Sequence, residues 1–104
     1  MPGDVGPVFN ALADGNRREL VRRLAECGSA TATELAADLP VTRQAVSKHL
    51  AALGAAGLVD SSRRGRETRY RLTPEPLAEA MSWMAAVGAE WDERLAALRE
   101  YLRP

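Results

Sequence analysis

Ala45-Val46-Ser47-Lys48-His49-Leu50-Ala51-Ala52-Leu53, continuing through Gly54-Ala55-Ala56 into Gly57-Leu58-Val59, decides how this chain folds. Val46, Leu50 and Leu53 recur at helical spacing, which predicts an amphipathic helix with one aliphatic face. Arg43, Gln44, Ser47 and Lys48 fall on the opposite face. Gly57 suits the left-handed residue that ends a helix, and Leu58-Val59 begins a strand. Downstream lies an arginine-rich turn, Arg63-Arg64-Gly65-Arg66. A helix with polar tips followed by a basic hairpin suits a DNA groove and its flanking phosphates.

Working outward, Thr42 is expected to cap this helix over residues 43–56. Upstream, Thr31-Ala32-Thr33-Glu34 matches a capping box, in which the hydroxyl and the carboxylate each satisfy a free backbone N–H. It predicts a short helix ending near Asp38, broken by Leu39-Pro40-Val41 because the residue before a proline avoids helical geometry. Asp14 reads as the cap of a longer helix to about Ala25, with Leu20, Val21 and Leu24 apolar. A first helix is expected over residues 5–13, carrying Val8, Phe9 and Leu12, and residues 1–4 are expected to be loose.

Downstream, residues 58–62 and 67–72 are predicted strands, the second alternating Thr68, Tyr70 and Leu72 with charged residues. Thr73-Pro74 starts a last helix reaching about Leu102, since proline in a first turn forfeits no hydrogen bond. Leu77, Met81, Met84, Gly88, Trp91, Leu95, Leu98 and Leu102 run along it at alternating steps of four and three, a heptad-like stripe. Trp83, Val87 and Tyr101 widen that stripe beyond what one small core covers. The fold expected is mainly α with a small β-hairpin. It is a single winged helix-turn-helix domain over residues 1–104, with N- and C-terminal dimerisation helices, the latter over about 74–102.

Charge distribution supports the same reading. The formal net charge is zero over 104 residues, but residues 42–71 hold six Arg and one Lys against Asp60 and Glu67, which is +5. The flanking segments are −2 over 1–41 and −3 over 72–104. Positive charge therefore gathers where phosphates would be met. Thirteen of the fourteen basic residues are Arg, a preference that a GC-rich genome also produces. A single cysteine, Cys27, excludes an internal disulfide and fits a reducing compartment. No apolar run approaches the roughly 20 residues of a membrane span, and no leader-like segment opens the chain. A cytoplasmic protein that does not engage a membrane is expected.

These motifs resemble the ArsR family of bacterial winged-helix repressors, over about residues 5–102. The strongest element is V-S-K-H-L-x-x-L-x-x-A-G-L-V, Val46 to Val59. A-L-A-D-G-N-R-R, Ala11 to Arg18, matches the family's start of its second helix, and R-R-G-R-E-T-R-Y-R-L, Arg63 to Leu72, resembles its wing. The resemblance implies a homodimer that represses transcription from promoter palindromes and releases DNA when an inducer arrives. Metal-sensing members often carry Cys-x-Cys at the start of the third helix, where Thr31 and Thr33 stand here. Others use histidines on the last helix, which has none. Hydroxyls are poor ligands for soft ions, so neither a metal site nor any cofactor is expected.

The DNA candidates are Thr42, Arg43, Gln44, Ser47, Lys48 and His49 on the recognition helix, and Arg63, Arg64, Arg66 and Arg69 on the wing. Gln44 can read adenine, and Arg43 or Lys48 guanine. His49 also reads as a partly buried ring beside the core, and its titration near neutrality opens a pH-sensitive contribution to binding. Val8, Phe9, Leu12, Leu77, Met81, Met84, Trp91, Leu95 and Leu98 are the dimer candidates. Met81, Trp83, Met84 and Trp91 alternatively line a pocket for an apolar small-molecule effector. Cys27 is expected to be a buried small residue. Two rival readings are a winged helix kept as a protein-interaction module, and an enzyme. With one His, one Cys, no phosphate-binding glycine loop and no nucleophile beside a base, an enzyme is not expected.

Overall fold

The first helix, α1 (Gly6–Ala11), begins where the Asp4 carboxylate accepts the Gly6 N–H at 2.9 Å. The computed structural model describes residues 4–103; the loose segment expected at 1–4 lies outside it except for Asp4, which thus has a defined role. Helix α1 is shorter than predicted because its last carbonyls are taken by side chains. Arg17 donates to the Ala11 and Asn10 carbonyls, and Arg18 donates to Leu12 O at 2.7 Å. Both arginines come from the next helix, α2 (Gly15–Cys27). Asp14 caps it, its Oδ1 accepting from Asn16 N at 2.8 Å and Arg17 N at 3.2 Å. Gly28, at φ +84°, ends it in a conformation that side-chain-bearing residues rarely adopt.

A two-residue strand follows, β1 (Ala30–Thr31), and then α3 (Ala32–Ala36). The capping box forms in both directions. Glu34 N donates to Thr31 Oγ1 at 3.1 Å, and Thr31 N donates to Glu34 Oε1 at 2.8 Å. The recognition helix α4 (Arg43–Ala55) is capped by Thr42, whose hydroxyl accepts from Ala45 N at 3.0 Å. Gly57, at φ +78°, then turns the chain so that Leu58 N reaches Leu53 O at 2.9 Å.

The wing comprises β2 (Val59–Arg64) and β3 (Glu67–Leu72), joined through Gly65 at φ +61°. The sheet has three strands in the order β1-β3-β2, all pairs antiparallel. Thr73 N donates to Leu58 O at 2.9 Å, closing the base of the hairpin. Helix α5 (Pro74–Tyr101) then runs for 28 residues.

One core lies between α1, α2, α3, α4 and the base of the sheet. Leu20, Leu24, Val46, Leu50, Leu53 and Leu58 are all less than 2% exposed. Each such aliphatic side chain contributes about 1.5–3 kcal/mol on burial. Helix α5 joins this core through its first turns only: Ala80 is buried, Leu77 packs against the cluster, and Phe9 meets Trp83 edge-on at 5.6 Å. Beyond that contact, Met84, Trp91, Leu95, Leu98, Tyr101 and Leu102 face outward. No helix among the described residues is long and apolar enough to cross a membrane.

Two expectations are corrected here. Val8, assigned to a subunit interface, is 4% exposed and belongs to the chain's own core; α1 is so short that its one inward face is used up there. Cys27 is exposed rather than buried. It stands at the very end of α2, past Leu24, where no layer covers it.

Candidate nucleic-acid interface

Helix α4 is held from behind by Val46, Leu50 and Leu53, so its N-terminal half can present only the other side. Thr42, Arg43, Gln44, Ser47 and Lys48 are all exposed and line one open hollow together with Ala45. A bare helix is about 10–12 Å across with its side chains, which matches the roughly 12 Å width of a B-DNA major groove. The free N–H groups and positive dipole end of α4 lie at the same end of the helix as these side chains. His49 is separated from this set. It is half-buried on the flank of α4, where its charge is felt by Asp14 at the start of α2.

The wing stands beside α4. Arg63, Arg64 and Arg66 are exposed, with Arg63 Nε donating to Gly65 O at 3.3 Å across the turn. Strand pleating divides them. Arg63 pairs with Thr68 and shares the face that leads down to Tyr70 and Leu72, whereas Arg64 pairs with Glu67 on the opposite face. Arg71 lies opposite Asp60 in the same ladder.

Arg69 departs from the wing set. Its guanidinium donates to Ser29 Oγ at 3.2 Å and Ser29 O at 3.3 Å, and it pairs with Glu34 at 3.3 Å and Glu67 at 3.6 Å. Its side chain is 30% exposed. Arg69, expected among the wing contacts to DNA, thus has its planar fork occupied within the fold.

Between α3, α4 and β3 lies an open cleft of about 490 Å³, lined by Thr31, Thr33, Arg43, Ser47, Arg66, Thr68 and Tyr70 among others. Hydroxyl and guanidinium groups that suit phosphate oxygens converge there, offset by the carboxylates of Glu34 and Glu67 in the same lining. Thr33, Thr68 and Tyr70 were not among the DNA candidates read from sequence. Tyr70 comes to the cleft through the pairing of β3 with β1, which only the fold reveals. Thr31 and Thr33, at the positions where soft-metal ligands would stand, serve as a helix cap and as cleft lining. Among the described residues, no three His, Cys, Asp or Glu side chains lie close enough together to hold a metal ion.

The dimer candidates other than Val8 fall into two groups. Phe9, Leu12 and Leu77 are partly buried against the core. Met81, Met84, Trp91, Leu95 and Leu98 are exposed along α5, with Trp91 at 56% and overlain by the Arg94 guanidinium at 5.7 Å.

Comparison with known proteins agrees with this geometry. A family model described as a helix-turn-helix domain matches residues 12–62. The HTH-type transcriptional regulator Rv2034 of Mycobacterium tuberculosis is 50% identical over 70 residues, a match that covers 67% of this chain and spans 64% of that relative's length. The structure of an ArsR-like transcriptional regulator from Rhodococcus sp. RHA1 superposes with a TM-score of 0.82 at 43% identity, covering 95% of this chain and 92% of that one. The homodimeric winged helix-turn-helix DNA-binding domain of Mb0332 from Mycobacterium bovis, a possible ArsR-family regulator, gives 0.66 at 30% identity, covering 86% and 82%. Core, recognition helix and wing recur across these regulators, which favours the DNA reading over a protein-interaction module. The chain belongs to the ArsR family of winged helix-turn-helix transcriptional regulators.

Proposed function

We propose that this chain is a homodimeric repressor that binds a palindromic operator in a promoter. Helix α4 enters the major groove, with Gln44, Ser47, Lys48 and Arg43 reaching base edges and Thr42 beside the backbone. Arg63, Arg64 and Arg66 meet flanking phosphates, where they add affinity more than specificity. The observation that carries this reading is the single exposed face formed by Thr42, Arg43, Gln44, Ser47 and Lys48 beside three exposed wing arginines. The apolar stripe on α5 supplies the dimer contact. Two-fold symmetry then sets two copies of α4 in successive major grooves about 34 Å apart, one helical turn. An apolar effector that reached Met81, Trp83, Met84 or Trp91 would act on this dimer geometry and, through it, on DNA.

The test is anisotropy titration of the full chain with a duplex from its own upstream promoter and with a scrambled duplex of equal composition. The promoter should be preferred. Ser47→Ala and Lys48→Ala should each weaken promoter binding by about five- to 150-fold, the equivalent of about 1–3 kcal/mol, with melting temperature unchanged. Equal affinity for the two duplexes across about 50–200 mM salt would sink the operator reading.

A further inference from the structure

Arg69 is the one wing arginine drawn into the fold, and its partners join two parts of the DNA-binding surface. It sits on β3 opposite Thr31 of β1 and opposite Ser62 of β2. Its Nη1 lies 3.3 Å from Glu34 Oε1, and that same oxygen accepts the Thr31 N–H at 2.8 Å. One carboxylate oxygen thus serves both the capping box of α3 and the guanidinium of the wing. The other arginine nitrogens hold Ser29, the residue just before β1. Apart from this cluster, the ladder between β1 and β3 is only two residues long. The hairpin packs on the core through Val59, Tyr70 and Leu72 alone, so the base of the wing is fixed while its outer half depends on the Arg69 contacts. A guanidinium can satisfy Ser29 and Glu34 together because its donors form a rigid planar fork; a lysine ammonium cannot.

We propose that Arg69 is a positioning residue: with Glu34 it latches the wing to α3 and so sets where Arg64 and Arg66 meet the phosphates, without touching DNA itself. The latch rests on the DNA-binding reading above and deepens it. Half-exposed ion pairs contribute little to global stability, so the effect of this one is geometric. It keeps the hairpin from rocking on its short ladder, and the ordering is in place before DNA arrives.

The sign of one substitution separates this from plain electrostatics. Glu34 is an acid beside the cleft, so removing its charge should tighten DNA binding if only the field mattered. If the latch matters, removing it should weaken binding. Glu34→Gln retains a side-chain oxygen for the Thr31 N–H, which preserves the cap while removing the ion pair. Glu34→Gln, Arg69→Gln and the double variant are titrated with the promoter and scrambled duplexes over a salt series. Each single variant should bind both duplexes about fivefold more weakly, and the double should be no worse than the weaker single, as for residues acting as one unit. The salt slope should be unchanged, because no phosphate contact is lost. Amide exchange at Ala30 and Tyr70 should be about fivefold faster in the free variants, reporting looser local structure.

Tighter binding by Glu34→Gln would overturn the latch. So would a fall of about 0.9 in the salt slope for Arg69→Gln, the loss expected of one phosphate contact. Unchanged exchange at Ala30 and Tyr70 would also overturn it, as would a drop in melting temperature beyond about 10 °C, which would make the pair a determinant of the whole fold. If the wild-type chain prefers neither duplex, the operator reading fails while the latch is still judged on both duplexes together. If it binds neither at about 50 mM salt, both fall.

Discussion

Two carboxylates at helix starts, Asp14 and Glu34, show how single residues hold the DNA-binding frame. The Arg17 backbone N–H is the main influence keeping the Asp14 carboxyl below its usual range, aided by the Asn16 N–H and the positive charges of His49 and Arg17. Glu34 is lowered chiefly by the Thr31 backbone N–H, then by the Thr31 hydroxyl and Arg69. A carboxyl whose folded pKa is depressed gives stability that is complete above its unfolded pKa of about 4, and loses it as pH falls through the lower folded value. Asp14→Asn keeps a capping oxygen but cannot titrate. Thermal melts between about pH 5 and pH 2 should therefore show a shallower acid loss for this variant than for the wild type; parallel curves would count against the Asp14 contribution. The caps Asp14, Thr31 and Thr42 were legible in the sequence because a cap acts on amides two or three residues away. Arg69 was not. Its partners lie far off in the chain, Ser29 at 40 positions and Glu34 on another helix, and a sequence displays a guanidinium without displaying what occupies it.

At the scale of elements, the recognition helix was readable nearly to its ends, since Val46, Leu50 and Leu53 mark its inner face and Thr42 and Gly57 its limits. Strand β1 escaped the reading. Two residues carry no alternation, and Ala30–Thr31 are extended only because Tyr70 and Arg69 pair with them. Helix α1 ended early for a similar reason: the arginines that take its carbonyls belong to α2. The wing arginines were identified as a set, but pleating sends Arg63 and Arg64 to opposite faces, and a one-residue alternation of this kind decides which of them can lie along a given phosphate track. Arg64→Ala and Arg66→Ala should each lower DNA affinity for every sequence alike. Each that meets a phosphate should reduce the slope of log affinity against log salt by about 0.9. Titrations at four salt concentrations measure this, and unchanged slopes in both variants would remove the wing from the interface.

The whole molecule measures 69 × 31 × 20 Å with a radius of gyration of 18.3 Å, against about 13 Å for a compact chain of this length. Helix α5 accounts for the excess, carrying its apolar stripe past the point where Ala80 and Trp83 leave the core. The stripe was legible as a periodicity of four and three. What a periodicity omits is how much of it the chain buries for itself, and only Leu77 and the residues nearest it are covered. In the proposed dimer a second copy completes what one copy leaves open, which makes folding and association a single equilibrium governed by mass action. The melting temperature of the wild type should rise with protein concentration across a hundredfold range. Leu95→Glu, which puts a charge on the stripe without entering the core, should abolish that rise. On that proposal the supply of functional repressor depends on how much of the chain is made, because dilution uncovers the stripe on α5 and parts the two copies of α4 that the operator needs together.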